Sequence, residues 1–276
     1  MKRLLLAMIA LSGAMFSMAQ DSTAKDKADT IRVGGMIIIK DHKGDDGEKK
    51  KTDILISNRH KKKSSNISTN WWIFDVGFAN LKDETNYAQA LSSGFVGQGV
   101  GKDQLDLRTG KSVNVNVWMF MQKLNMIKHV VNLKYGLGLE LNNYRFDNEQ
   151  IRFTKNPTTI ILDPSLKDAE KNKLAADYIT VPMMLNFNFT PGNKKGFGFS
   201  AGVSAGYLYS SRQKIKMNGD KKKLHDDFDL EKWKLSYIGE LNLGPVRLYG
   251  SYAMNNMWDK GLDQTPYNVG IRFSHW

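Results

Sequence analysis

The chain has 276 residues, 41% of them apolar, and carries a formal charge of +12 at pH 7. It contains no cysteine, which excludes disulfides, zinc ribbons, CxxC redox chemistry and a lipid-modified N-terminal cysteine. A positive charge of that size attracts phosphate-bearing partners, nucleic acid or anionic lipid, and says nothing about fold.

Lys2 and Arg3 precede an apolar run from Leu4 to Leu11, extended weakly through Met15 and Phe16, and Ser17-Met18-Ala19 sets small residues at the −3 and −1 positions before Gln20. This reads as a cleaved secretory signal over residues 1–19. A membrane anchor is the weaker reading, because a spanning helix needs roughly 18 to 20 apolar residues. No later segment is that long, so a mature chain that enters a membrane must enter it as strands.

Residues 20–70 are polar, with lysine runs at Lys49 to Lys51 and Lys61 to Lys63 and two β-prone islands, Ile31 to Ile39 and Ile54 to Ser57. A periplasmic tether is expected, its islands pairing as a small hairpin. Nucleic acid is not an expected partner: an exported chain seldom meets it, and Asp45, Asp46 and Glu48 dilute the lysine field.

Residues 71–276 carry eight segments in which apolar residues fall on every second position, the period that puts alternate residues on opposite faces of a strand. The first sets Trp72, Phe74, Val76 and Phe78 against Ile73, Asp75 and Gly77, and a long polar connection from Ala79 to Lys111 follows. The second sets Val113, Val115, Val117 and Met119 against Asn114 and Asn116. The third, Val131, Leu133, Tyr135, Leu137, Leu139 and Leu141 against Asn132, Lys134, Gly136, Gly138, Glu140 and Asn142, is among the most regular. A long excursion follows to Asp177; in it Asp163-Pro164-Ser165 reads as an N-cap with proline at the first helical position, predicting a short helix over Leu166 to Ala176.

The fourth strand sets Ile179, Val181, Met183, Leu185, Phe187 and Phe189 against Thr180, Met184, Asn186 and Asn188, and Thr190-Pro191-Gly192-Asn193 turns the chain back. In the fifth, Phe197, Phe199, Ala201, Val203, Ala205, Tyr207 and Tyr209 oppose Gly198, Ser200, Gly202, Ser204 and Gly206. A basic loop, Ser211 to Glu231, leads to the sixth: Trp233, Leu235, Tyr237, Leu241 and Leu243 against Lys234, Ser236, Glu240 and Asn242. Gly244-Pro245 turns into the seventh, with Val246, Leu248 and Tyr252 opposite Arg247 and Ser251. The eighth sets Tyr267, Val269, Ile271 and Phe273 against Asn268, Gly270, Arg272 and Ser274.

Two closed barrels fit this alternation. A soluble lipocalin-like barrel turns its apolar face toward a ligand cavity, and a membrane barrel turns it outward to lipid. Three features favour the membrane. The connections alternate long and short, as outer-membrane barrels require. The polar face is rich in glycine and serine and mixes both signs of charge. The apolar-face aromatics sort into two belts, Trp72, Phe187, Phe189, Phe197, Phe199 and Phe273 at the periplasmic ends and Phe78, Tyr207, Tyr209, Trp233, Tyr252 and Tyr267 at the outer ends. The expected fold is therefore all-β: an eight-stranded antiparallel up-and-down transmembrane β-barrel with a polar N-terminal tether. Eight strands enclose a space that side chains nearly fill, so the inward Asp75, Lys134, Glu140, Lys234, Glu240, Arg247 and Arg272 are expected to form an interior ion network.

The Ala19-Gln20 signal end, the tether segment Asp29-Thr30-Ile31-Arg32-Val33-Gly34 and the strand Tyr178-Ile179-Thr180-Val181-Pro182-Met183-Met184-Leu185 resemble the PorT-like outer-membrane β-barrel proteins of Bacteroidetes-type bacteria. Residues 71–276 also look like the small OmpA/OmpX-type barrel architecture. The resemblance implies a cell outer membrane location, delivery by the β-barrel assembly machinery and a non-enzymatic structural or surface role, as in a secretion or envelope assembly with an envelope protein partner. It supplies no catalytic residues. One departure stands out: Trp276 shares the phase of Arg272 and Ser274, whereas Phe273 keeps the lipid-facing phase.

Catalytic motifs fare poorly beside these readings. Gly202-Val203-Ser204-Ala205-Gly206 matches the G-x-S-x-G nucleophile elbow by letter, yet that motif needs a strand-to-helix turn after the serine and here the strand pattern runs on. His42, His60, His129, His225 and His275 are scattered without metal-ligand spacing. Gly97, Gly99 and Gly101 precede no helical pattern that would cradle a phosphate. No catalytic, metal or cofactor site is expected. The basic connections, Lys155, Lys167, Lys171 and Lys173, then Lys214, Lys216 and Lys221 to Lys223, fall on the outer side, where lipopolysaccharide phosphates lie. A membrane-embedded lipid-modifying enzyme and the soluble carrier remain the alternatives.

Overall fold

The computed structural model describes residues 65–191 and 196–274, together with the backbone of 29–33, 36–40 and 54–55. The expected signal sequence, most of the tether, Gly192-Asn193 of the turn and Trp276 lie outside the described residues. The N-terminal segments form their own small antiparallel sheet. Strands β1 (Asp29–Val33) and β2 (Met36–Lys40) make a hairpin within the first island, and β3 (Ile54–Leu55) from the second adds to β2.

The second unit, Ser65–Trp276, is built on eight long strands. They are β4 (Ile67–Asp83), β5 (Val113–Ile127), β6 (Val131–Arg145), β9 (Lys171–Asn188), β10 (Phe197–Met217), β12 (Trp233–Leu243), β13 (Val246–Ala253) and β14 (Gln264–Phe273). Short strands β7 (Ile151–Phe153), β8 (Ile160–Leu162) and β11 (Asp220–His225) belong to the connections. Each long strand pairs antiparallel with its chain neighbours, and β14 pairs with β4, so that the sheet closes on itself. Closure removes the unpaired edge that hydrocarbon would penalise by several kcal/mol per amide.

The apolar face looks away from the lumen. Val203 and Ile271 are 41% and 44% exposed, whereas Glu140 and Arg272 retain 5% and 8%. This is the reverse of a soluble carrier, whose apolar set would line a hollow. Phe78, Tyr207, Tyr209, Trp233 and Tyr252 are exposed at one rim of this surface, and Trp72, Phe189, Phe197, Phe199 and Phe273 at the other.

Pattern and structure part at the ends of the strands. Ile67 rather than Trp71 opens the first barrel strand, which pairs with β5 as far back as Ile67↔Leu124. The helix expected over Leu166 to Ala176 is absent. Asp163 does cap a turn, its Oδ1 accepting from the Ser165 amide, but the turn is a single 3-10 segment, Pro164–Leu166. From Lys171 onward the chain is strand, because both neighbours offer it ladders: Arg145↔Lys173 on β6 and Lys173↔Lys214 on β10. Ser211 to Glu231 is likewise no simple loop, since β10 runs on to Met217 and folds back as β11. A bulge at Tyr209 lies between the Leu208 and Ser210 pairings and shifts the phase of everything beyond it.

Nor are the long connections merely polar. They fold over one mouth of the barrel and share one hydrophobic core, in which Phe95, Val96, Phe146, Ile151, Phe153, Ile160, Phe228 and Trp258 are all buried. Leu174, Ala176 and Tyr178 of β9 join the same cluster from the barrel wall. Phe153 sits at its centre, stacked on Trp258 at 5.9 Å and tilted against Phe146 and Phe228 at 5.8 and 5.4 Å. The mouth is thus closed by a packed cap.

Candidate functional site

Inside the barrel the polar face brings charged side chains from four strands to the axis. Asp75, wholly buried, accepts from Arg272 Nε and Nη2, each at 2.7 Å, and from Trp118 Nε1 at 2.7 Å and Asn116 Nδ2 at 3.1 Å. Arg272 also reaches Glu240 through Nη1, and Lys134 donates to the other Glu240 oxygen at 2.6 Å and to Ser200 at 3.2 Å. Glu140 pairs with Lys234 and accepts from Asn142 and Asn268 at 3.1 Å. Three carboxylates thus meet three cations, and side-chain amides take up much of the remaining acceptor capacity. Each buried charge thus has an opposite charge and hydrogen-bond partners, which offsets the cost of its desolvation.

Of the seven interior residues read from sequence, Arg247 stands apart. It donates to Asn242 at 3.0 Å and to Ser274, and no carboxylate ion pair reaches it among the described residues. It lies just after the short turn that starts β13, at the end of the barrel away from the long connections. Its correct description is a hydrogen-bonded cation at the rim of the network.

Sequence reading missed two aromatic partners. Trp118 donates to Asp75 and lies 5.5 Å beneath the Arg272 guanidinium. Tyr249 lies 5.9 Å from the same guanidinium and donates to Asn114. Tyr249 has room because its neighbours on the wall are glycines: a Cβ on Gly77 would come within 2.6 Å of its hydroxyl, and one on Gly270 within 2.7 Å of its ring. The usable signal was phase, since Tyr249 falls in step with Arg247 and Ser251. Ile73, Trp118, Met121 and Met184 add an apolar layer inside the barrel. The cavities left in the lumen hold about 30 and 50 Å³, room for a water or two each.

Ser204 is buried in mid-strand between Pro182 and Ser236 and lies on no nucleophile elbow. His129 occupies the β5–β6 turn and His225 the end of β11. Among the described residues no group of three metal-ligating side chains gathers.

Outside, the lysines of the basic connections separate. Lys171, Lys173, Lys214, Lys216, Lys221 and Lys223 share the outward face of the β9–β10–β11 extension, in line with the lipid-facing phase of β9 below them. Lys222 points to the other face, opposite Ile215. Lys155 donates to the His225 carbonyl, and Lys167 is exposed on the cap, at the end of the 3-10 turn.

The family model described as outer membrane protein beta-barrel domain matches residues 74–257. Among solved structures, the chain is similar to Ail, the attachment invasion locus protein of Yersinia pestis, at 10% identity, covering 74% of this chain and 98% of that one with a TM-score of 0.30. No curated protein matches the chain.

Proposed function

The chain belongs to the outer membrane protein beta-barrel domain family and resides in the outer membrane; from that premise we propose that it is a non-enzymatic, non-conducting anchor that holds a folded cap at the cell surface for contact with lipopolysaccharide or an envelope protein. The observation that carries the reading is the cap core around Phe153, which sits over the mouth of a lumen already filled by paired charges. A channel needs a continuous wet path, and here two successive layers obstruct it. An embedded enzyme needs a cluster of reactive groups at the outer rim, whereas the core that fills this rim is apolar.

Insertion by the β-barrel assembly machinery is part of the same proposal. Membership of a PorT-like group, and a place in a secretion assembly, extend the proposal on the strength of the sequence resemblance. The test is conductance of the full chain in planar bilayers. Wild-type protein is expected to give no stepwise current, and a variant lacking the β7–β8 hairpin (151–162) is expected to remain closed because the ion network still fills the lumen. Steady ion-conducting steps from the wild-type chain would remove the anchor reading.

A further inference from the structure

The outward face of the sheet above the aromatic belt holds a row of like charges that the fold alone does not justify. Arg145 of β6, Lys173 of β9, Lys214 of β10 and Lys223 of β11 are direct cross-strand partners, one beside the next across four strands. A second row, Lys171, Lys216 and Lys221, runs parallel to it, and Arg212 lies on the membrane side. Like charges directly opposite one another destabilise a sheet. The acids on this face are already engaged: Asp177 pairs with Arg212 and Glu170 with Lys216. That leaves Arg145, Lys173 and Lys214 without a carboxylate in ion-pair range among the described residues, and the Arg145 Nε is buried without a hydrogen-bond partner.

Position supplies the counter-charge. Tyr207 and Tyr209 are exposed on the same strand, and Arg212 and Lys214 follow Tyr209 by three and five residues, about 10 and 16 Å along a strand. The Tyr209 bulge is what turns them outward, since without its phase shift Arg212, Lys214 and Lys216 would point toward the cap core. Burial first, and then the neighbouring Lys214, Lys171, Arg212 and Arg145, lowers the Lys173 ammonium to about 8.

We infer that the Arg145–Lys173–Lys214–Lys223 row and its flanking lysines form a seat for the phosphates of outer-leaflet lipopolysaccharide, with the acyl chains lying against the lipid-facing residues below. The seat rests on the anchor reading for its location and names the lipid that the anchor holds. Lysine and arginine side chains spread over a flat sheet suit the two separated phosphates of a lipid A headgroup better than one compact anion. Bound lipid relieves the cross-strand repulsion that the free protein carries.

The test uses the full chain in nanodiscs of neutral phospholipid, with bisphosphorylated lipid A and its dephosphorylated form as probes and native mass spectrometry as the count of retained lipid. Wild-type protein is expected to retain bisphosphorylated lipid A at least tenfold more strongly than the Arg145→Gln/Lys173→Gln/Lys214→Gln triple variant, with the dephosphorylated lipid held as weakly as by that variant. A second triple, Lys102→Gln/Lys167→Gln/Lys260→Gln, removes three exposed cations elsewhere on the outer side and is expected to bind like wild type. Equal retention by the first triple, or equal retention of both lipids by wild type, overturns the seat. So does tight binding of heparin that lipid A fails to displace, which would assign the row to a soluble polyanion. Should the first triple fail to show the heat-modifiable band of a folded barrel, Lys214→Gln alone decides, with reduced retention supporting the seat and unchanged retention overturning it. Conductance of wild-type protein is read separately, so a failed anchor and a failed seat give different results.

Discussion

Asp75 and Arg272 face one another across the seam where the last strand meets the first, 197 residues apart in sequence and joined by two hydrogen bonds of 2.7 Å. The pair therefore sits at the final closure of the ring, the pairing that joins the two ends of the barrel sequence. Because Arg272 continues to Glu240 and Glu240 to Lys134, the seam is tied to the opposite wall through the lumen. A barrel that registers wrongly by one residue at β14 would turn Arg272 toward hydrocarbon and leave Asp75 in the lumen without it.

Removing one member of this pair leaves the other buried and uncompensated. Asp75→Ala is expected to lower stability by about 3–5 kcal/mol, read as the urea midpoint of the heat-modifiable band. The double variant Asp75→Ala/Arg272→Met is expected to recover part of that loss, since no charge is then orphaned at the seam. Strictly additive losses would show that the two side chains do not act as a pair.

On the outer surface, Val203→Arg places a charge on the lipid face in mid-strand, where about 2–4 kcal/mol is the expected loss. Ala205→Val, which keeps the same face apolar, is expected to be nearly neutral. Measured in lipid vesicles, indifference to Val203→Arg would mean that this face meets water.

How far the sequence was legible follows from the same residues. The wall strands could be read because lipid imposes one rule on them: Val203 and Ala205 must be apolar while Ser204 and Gly206 fit a crowded axis. Above the membrane that rule lapses. The outward phase of β9 changes from Ile179 and Val181 to Lys171 and Lys173, and the Tyr209 bulge reverses the phase of β10, so apolar alternation no longer marks strand there and the Asp163-Pro164 cap signal points to a helix over Leu166 to Ala176. The cap was hidden for another reason. Phe95, Phe153, Phe228 and Trp258 come from four connections with no common period, and only the closed ring brings those connections together. In the network, Asp75 and Glu140 were visible as acids on a polar face, while Trp118 was not, because an aromatic in a membrane strand is ordinarily assigned to lipid.

The cap core gives a prediction separate from the barrel. Phe153 is about 1% exposed and touches three aromatic rings, so Phe153→Ala is expected to cost about 3–5 kcal/mol of packing. The loss should fall on the cap alone, because the wall ladders do not depend on it. Limited proteolysis is the readout: cleavage in residues 84–112 and 146–170 should accelerate while the transmembrane strands stay protected. Protection of both regions at wild-type rates would show that the cap is held by its backbone ladders rather than by this core.

The crowded lysine row gives the pH dependence a sign. Lys173 titrates near 8 in the folded chain against 10.5 for an ordinary lysine, chiefly through burial and then through Lys214 and Lys171. Between those two values the unfolded chain binds more protons, so stability rises with pH. The charged ammonium penalises the fold in full below pH 8, and the penalty fades toward 10.5. In detergent free of lipopolysaccharide, wild-type protein is therefore expected to show a urea midpoint that climbs across this window. Lys173→Gln should raise the midpoint at neutral pH and flatten the climb, and bisphosphorylated lipid A should flatten it for wild type by holding the ammonium charged. A midpoint whose climb is the same in wild type and Lys173→Gln would assign the titration to other groups and leave the row without an electrostatic cost.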